Sequence, residues 1–152
     1  MFKFAAAAFA AALLVATPVL ADDATDPEIM ATIKTFSDGM AKGDTDKIAA
    51  AQVANPTIID EFSPYLWTGN GSIAAWGGDF QKDATAKGIS EPKLVVGKVQ
   101  RALVDGDKAY VVAAANYTFK QNGMIMGESA TITMVLNKTA DGWKIAAWSF
   151  NF

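Results

Sequence analysis

A change of period at Pro92 constrains this chain more than any other feature. Upstream, apolar residues recur at helical spacing. Downstream they alternate, and three turn signals fall at nearly even distances: Asp105-Gly106-Asp107, Gln121-Asn122-Gly123 and Thr139-Ala140-Asp141-Gly142. Asn-Gly and Asp-Gly supply the backbone conformations that tight hairpins need. The pattern therefore predicts four long strands in an antiparallel meander, over Lys93–Val104, Lys108–Lys120, Met124–Lys138 and Trp143–Phe152. Strands of that length with no helix between them predict a strongly curved sheet, whose hollow the helical part of the chain must fill.

The helical part reads as follows. Asp26-Pro27-Glu28 gives a capping side chain, a proline preset for the first turn and an acid that suits the helix dipole. Ile29, Ile33, Phe36 and Met40 then form one stripe, and Gly43 ends the helix. Asp44 caps a second, shorter helix predicted to run to about Val53, where Asn55-Pro56 stops it. A third begins at Ser72, a predicted cap, and carries Ile73, Trp76, Phe80 and Ala84 on one face, with Gly88 at its end. Gly77-Gly78 inside it costs about 1 kcal/mol each relative to alanine, which points to close backbone packing or to an opening for a ligand.

Between the second and third helices, Thr57–Phe62 reads as a short strand. Alternation puts Ile58, Asp60 and Phe62 on one face and Thr57, Ile59 and Glu61 on the other, so Asp60 and Glu61 are not expected to act as a carboxylate pair. Ser63-Pro64 turns the chain, Tyr65 and Trp67 add aromatic surface, and Gly69-Asn70-Gly71 forms a loop. In the meander, a register set by the Asn122-Gly123 turn pairs Tyr117 with Glu128, Phe119 with Met126 and Ala115 with Ala130. Glu128 then shares its face with Ile132, Met134 and Leu136, and Trp148, Phe150 and Phe152 turn toward the same side. A carboxylate there is expected to be partly desolvated, with its pKa raised, and to serve as an acid, a hydrogen-bond donor or a polar anchor.

Residues 1–21 hold one early cation, Lys3, an apolar run from Phe4 to Val15, then Pro18 and Val19-Leu20-Ala21. This predicts a secretory signal cleaved after Ala21, since the run is shorter than the roughly 20 residues that span a bilayer. Residues 22–152 are then expected to form a single domain, periplasmic or secreted, with no membrane span. Cysteine is absent, so packing rather than disulfides must hold that domain together. Histidine is also absent, which removes the commonest general base, the commonest transition-metal ligand and every Ser-His or Cys-His nucleophile. No metal site and no cofactor is expected. The net charge of −3 has no basic cluster behind it, so nucleic acid and anionic membranes are poor partners.

Three amino-terminal helices around one short strand, followed by a long meander, resemble the nuclear transport factor 2-like superfamily, and within it the ketosteroid-isomerase-like and SnoaL-like members. Phe36-Ser-Asp-Gly-Met-Ala-Lys-Gly-Asp44 is similar to the family's first helix ending in a Gly-Asp step. Asp107-Lys-Ala-Tyr-Val-Val112 is similar to a strand entry, and Gly142-Trp-Lys-Ile-Ala-Ala-Trp-Ser-Phe150 to the last strand. The resemblance implies an α+β cone, in which three helices pack in the concave face of a curved antiparallel sheet around an apolar pocket. Its enzymes place a general base on the strand matched by Thr57–Phe62, which gives that role to Asp60, or to Glu61 if the strand turns its other face inward.

As an enzyme of this kind, the protein would move a proton between carbons of a small apolar carbonyl compound, with Tyr117 or Glu128 donating to the developing enolate oxygen. Phe62, Tyr65, Trp67, Trp76, Phe80, Ile132 and Trp148 would line the ligand site. Two departures weigh against chemistry: the first helix lacks a tyrosine to present a phenolic donor, and there is no histidine for a dehydratase-type dyad. The expectation is therefore a domain that binds a small apolar molecule and dimerises through its sheet, with a cofactor-free isomerase or cyclase as the alternative.

Overall fold

The computed structural model describes residues 26–152; the predicted signal segment lies outside the described residues. Helix α1 (Pro27–Lys42) starts where its caps predict. The Asp26 side chain accepts the Glu28 N–H at 2.8 Å, and Gly43 closes the helix in the left-handed conformation at φ 64°. Ile29, Ile33 and Phe36 are buried, as their spacing requires. Asp44 caps α2 (Thr45–Ala50) by accepting the Lys47 N–H at 3.1 Å. The two helices meet at Gly39, where an added Cβ would lie 2.9 Å from both Cγ1 and the backbone nitrogen of Ile48.

Helix α2 ends before Val53 because strand β1 (Gln52–Ile59) takes over at once. Gln52 fixes the junction: its side-chain amide donates to the Ile48 carbonyl at 3.1 Å and accepts from the Trp148 indole at 2.9 Å. The strand thus begins before Thr57 and ends before Asp60. Pro56 does not stop it, since the register with β6 is irregular between Gln52 and Thr57, and a proline is tolerated where a ladder bond is missing. A two-residue strand that the sequence did not predict, β2 (Leu66–Trp67), pairs antiparallel with β1. Helix α3 (Ser72–Ala86) has Gly71, not Ser72, as its cap; the Ser72 hydroxyl instead donates to the Pro56 carbonyl at 2.9 Å and ties the helix to β1.

The meander comprises β3 (Ile89–Asp105), β4 (Lys108–Gln121), β5 (Met124–Thr139) and β6 (Gly142–Asn151). The sheet order is β2-β1-β6-β5-β4-β3, with β1 parallel to β6 and all other pairs antiparallel. Tyr117 lies opposite Glu128, Phe119 opposite Met126 and Ala115 opposite Ala130, the register that the Asn122-Gly123 turn predicts; both turn residues have positive φ, 51° and 82°. Strand β3 starts earlier than Lys93, and its register with β4 slips between Val96 and Val99, and again by Arg101. Such slips bend a strand. Here the Ser37 hydroxyl on α1 accepts the Val96 N–H at 3.0 Å, so the helix pins the curved strand at that point.

The sheet is curved and does not close, and the three helices cover its concave face. Ile58, Val111, Ile132, Met134, Leu136 and Ile145 project from it into a core completed by Phe36 and Trp148. No helix among the described residues is long and apolar enough to cross a membrane.

Candidate functional site

A cavity of about 440 Å³ opens between α3 and the concave face. Four parts of the fold build it. The α1–α2 junction supplies Met40 and Ile48. The segment after β1 supplies Asp60, Glu61 and Phe62, and α3 supplies Trp76, Gly77, Phe80, Asp83 and Lys87. The sheet supplies Leu94, Tyr117, Phe119, Glu128 and Phe150. Trp76 and Phe80 lie nearly parallel at 5.6 Å, and Phe62 tilts against Phe80 at 5.9 Å, so one wall is continuous aromatic surface. A Cβ at Gly77 or Gly78 would meet no atom within 4 Å. Close backbone packing is therefore not the reason for the glycine pair, and Gly77 borders the cavity.

Asp60 sits inside this cavity. One carboxylate oxygen accepts the Trp76 indole N–H at 2.9 Å and the other accepts the Glu61 backbone N–H at 2.8 Å. Burial pushes its carboxyl above the ordinary aspartate range, against the pull of those two donors. Glu61 lines the cavity as well, which overturns the expected separation of the two carboxylates. Strand β1 stops at Ile59, so alternation no longer governs the next two side chains. The Glu61 carboxyl is also raised, by partial loss of water and by the neighbouring charge of Asp60.

Tyr117 faces the same space from β4. Burial, reinforced by Glu128 and Asp60, pushes its hydroxyl up to about 12, so it remains a protonated donor at neutral pH. Glu128 lines the mouth but is exposed, not desolvated as expected, because this end of β5 carries exposed residues from Met124 to Ser129.

Of the predicted ligand wall, Phe62, Trp76 and Phe80 line the cavity and the other four lie elsewhere. Tyr65 is exposed on the outside of its turn. Trp67 is buried behind Phe62, at 5.0 Å, and donates to Asp79 at 3.1 Å. Ile132 and Trp148 belong to the core beneath the cavity, where Phe36 and Trp76 pack edge-on against Trp148 at 5.6 and 5.1 Å. Asp83 and Lys87 were missed, although a signal existed. They lie two helical turns beyond Trp76 and Phe80 respectively, which continues the same face.

A family model of the SnoaL-like domain matches residues 29–151. The chain belongs to the SnoaL-like family. Solved structures share the fold of this SnoaL-like domain. One is a nuclear transport factor 2-like protein with a cystatin-like fold from Novosphingobium aromaticivorans (17% identity, TM-score 0.64, 81% of this chain and 78% of that one). Others are a nuclear transport factor 2 superfamily protein from Salmonella enterica serovar Typhimurium (18%, 0.64, 82% and 87%) and a ketosteroid isomerase-like protein from Erwinia carotovora atroseptica (16%, 0.62, 83% and 96%). At these identities the likeness is one of fold. No curated protein matches in sequence.

Asp60 gives the SnoaL-like domain a testable pH dependence. Between the ordinary aspartate value of about 4 and its raised value, folded Asp60 holds a proton that the unfolded chain has released, so stability falls as pH rises through that window. Asp60→Asn removes the term while keeping an acceptor for Trp76. The gap between variant and parent is expected to move in the variant's favour as pH rises from about 4 to 7, on top of a pH-independent loss of the acceptor for the Glu61 N–H. Thermal melts of both proteins from pH 3 to 8 check this, and a gap that moves in the variant's favour toward acid would contradict it.

Proposed function

We propose that the protein binds and carries a small molecule, apolar over most of its body, in the cavity beside Asp60, without transforming it. The fold supports a ligand-binding or an isomerase-type domain. The observation that carries the binding reading is the cavity itself. Its volume of about 440 Å³ falls within the roughly 300–1,000 Å³ of small-molecule sites, and its wall combines aromatic and aliphatic side chains with convergent polar groups. Native mass spectrometry of protein purified from its own cells should show a retained small molecule. An empty protein that also ignores a panel of steroids, polyketides and lipids would overturn the proposal.

One observation favours the enzymatic alternative: a raised carboxyl at Asp60 and a protonated phenol at Tyr117 face one cavity, as a base and an oxygen-stabilising donor would. Under that reading Asp60→Asn abolishes turnover while the fold is retained, and unchanged turnover excludes Asp60 as the base.

Export and dimerisation belong to the same proposal. Cleavage after Ala21 would leave Asp22 as the first residue of the periplasmic protein, which mass measurement of the intact chain tests. Val95, Leu103, Tyr110 and Val135 are exposed apolar side chains on the outer sheet face, a surface suited to a second copy. Sedimentation of the parent and of Val135→Glu tests the dimer.

A further inference from the structure

The charges facing the cavity are almost all of one sign. Asp60, Glu61, Asp83 and Glu128 line it against a single cation, Lys87, whose ammonium is held by Asp83 at 2.7 Å. Among the described residues, Asp60, Glu61 and Glu128 have no ion-pair partner. They approach the cavity from the segment after β1 and from β5, and between them runs an aromatic wall that includes Phe62, Trp76, Phe80 and Tyr117.

We infer that the molecule held in this cavity is an organic cation, an apolar body bearing an ammonium group, with its charge beside Asp60 and Glu61, in the field of Glu128, and its body against the aromatic wall. This rests on the cavity being a ligand site and adds the chemical class of the ligand. Three arguments converge. An ammonium within reach of carboxylates makes charge-assisted hydrogen bonds, which gain strength where water is partly excluded. The aromatic side chains of the lining attract a cation that reaches a ring face, through the ring quadrupole, and favour it over a neutral or anionic guest. The free site also carries a cost that a cation would relieve: Asp60 and Glu61 are held above their ordinary values by burial, and in Glu61 also by the charge of Asp60, with Lys87 offsetting this only in part. A bare metal ion is a poorer fit. Among the described residues no three acidic side chains converge closely enough to hold one, whereas a small hard cation needs about six oxygen ligands at short range. Lys87 shows that this rim already accommodates an ammonium.

Three probes that share one body separate the outcomes: phenylbutylammonium, phenylbutanol and phenylbutyrate, titrated calorimetrically into the purified protein at pH 7. The ammonium is expected to bind at least about tenfold more tightly than the alcohol, and the carboxylate not measurably. Glu61 and Glu128 are exposed, so Glu61→Gln and Glu128→Gln are expected to fold. Together they should narrow the gap between ammonium and alcohol several-fold. Equal or tighter binding of the alcohol overturns the inference and leaves the binding proposal standing. If none of the probes binds, and none of the steroids, polyketides or lipids does, both fail. If the ammonium keeps its full advantage in the double variant, its charge is not read by these carboxylates and the inference is wrong.

Discussion

Trp148→Phe is expected to cost the protein about 3–5 kcal/mol, more than the loss of ring volume alone would take. Trp148 is 2% exposed and its indole N–H is the donor to the Gln52 side-chain oxygen, itself buried at the α2–β1 junction. Phenylalanine leaves a gap under Phe36 and Trp76 and also strands the Gln52 acceptor away from water, a penalty of about 1–3 kcal/mol by itself. The two effects separate in a double-mutant cycle. Gln52→Leu alone strands the Trp148 donor, but combined with Trp148→Phe it removes a partner that is already alone. The double variant should therefore be more stable than the sum of the single losses predicts, by about 1–2 kcal/mol. Urea unfolding of the four proteins measures this, and additivity within about 0.3 kcal/mol would show that the bond contributes nothing specific.

Gly39→Ala carries the second large effect, and its sign is decided by space rather than by helix propensity. Alanine in the interior of α1 would gain about 1 kcal/mol from propensity. Against this, its Cβ would lie 2.9 Å from the Ile48 backbone nitrogen and 3.1 Å from the Lys47 Cβ. A backbone atom cannot rotate away, so α2 must shift, and overpacking of this kind costs about 1–3 kcal/mol. Because the Ile48 backbone must move, the expected result lies toward the upper end of that cost, a net loss of up to about 2 kcal/mol. Because Ile48 lines the cavity, affinity for any bound molecule should weaken as well. Gly78→Ala on α3 is the control: its Cβ meets nothing within 4 Å, so the same substitution should stabilise by about 1 kcal/mol. If both variants stabilise, the close approach at Gly39 is not a constraint.

The sequence revealed the parts of this fold whose cause is local. Asp26-Pro27 marked the start of α1 and the Ile29, Ile33, Phe36 stripe marked its buried face. The Asn122-Gly123 turn set the β4–β5 register residue by residue, because two adjacent positive-φ positions leave few alternatives. What stayed hidden depended on distant partners. Gln52 begins a strand because Trp148, in the last strand, supplies its hydrogen bond, and no window around Gln52 contains that information. The same limit applies to the site. Asp60 and Tyr117 could be placed at the cavity, but the end of β1 at Ile59 brings Glu61 there too. The overlying α1 and α3 aromatics turn Trp148 from wall into core, and the open end of β5 leaves Glu128 in water. Each is a property of where an element stops or what lies above it, and strand alternation is silent on both.

The parallel pairing of β1 with β6 sets a condition on how the molecule is made. Ile58 stands beside Trp148, so the strand that leads into Asp60 has its ladder partner in β6, which is made only after the whole of β3, β4 and β5. Local helices and the β4–β5 hairpin can form during synthesis, but the floor of the cavity cannot assemble until β6 has been made. Truncation before Ala147 should therefore leave a chain that cannot complete the site, rather than a smaller working domain, and folding of the domain should be limited by the arrival of β6.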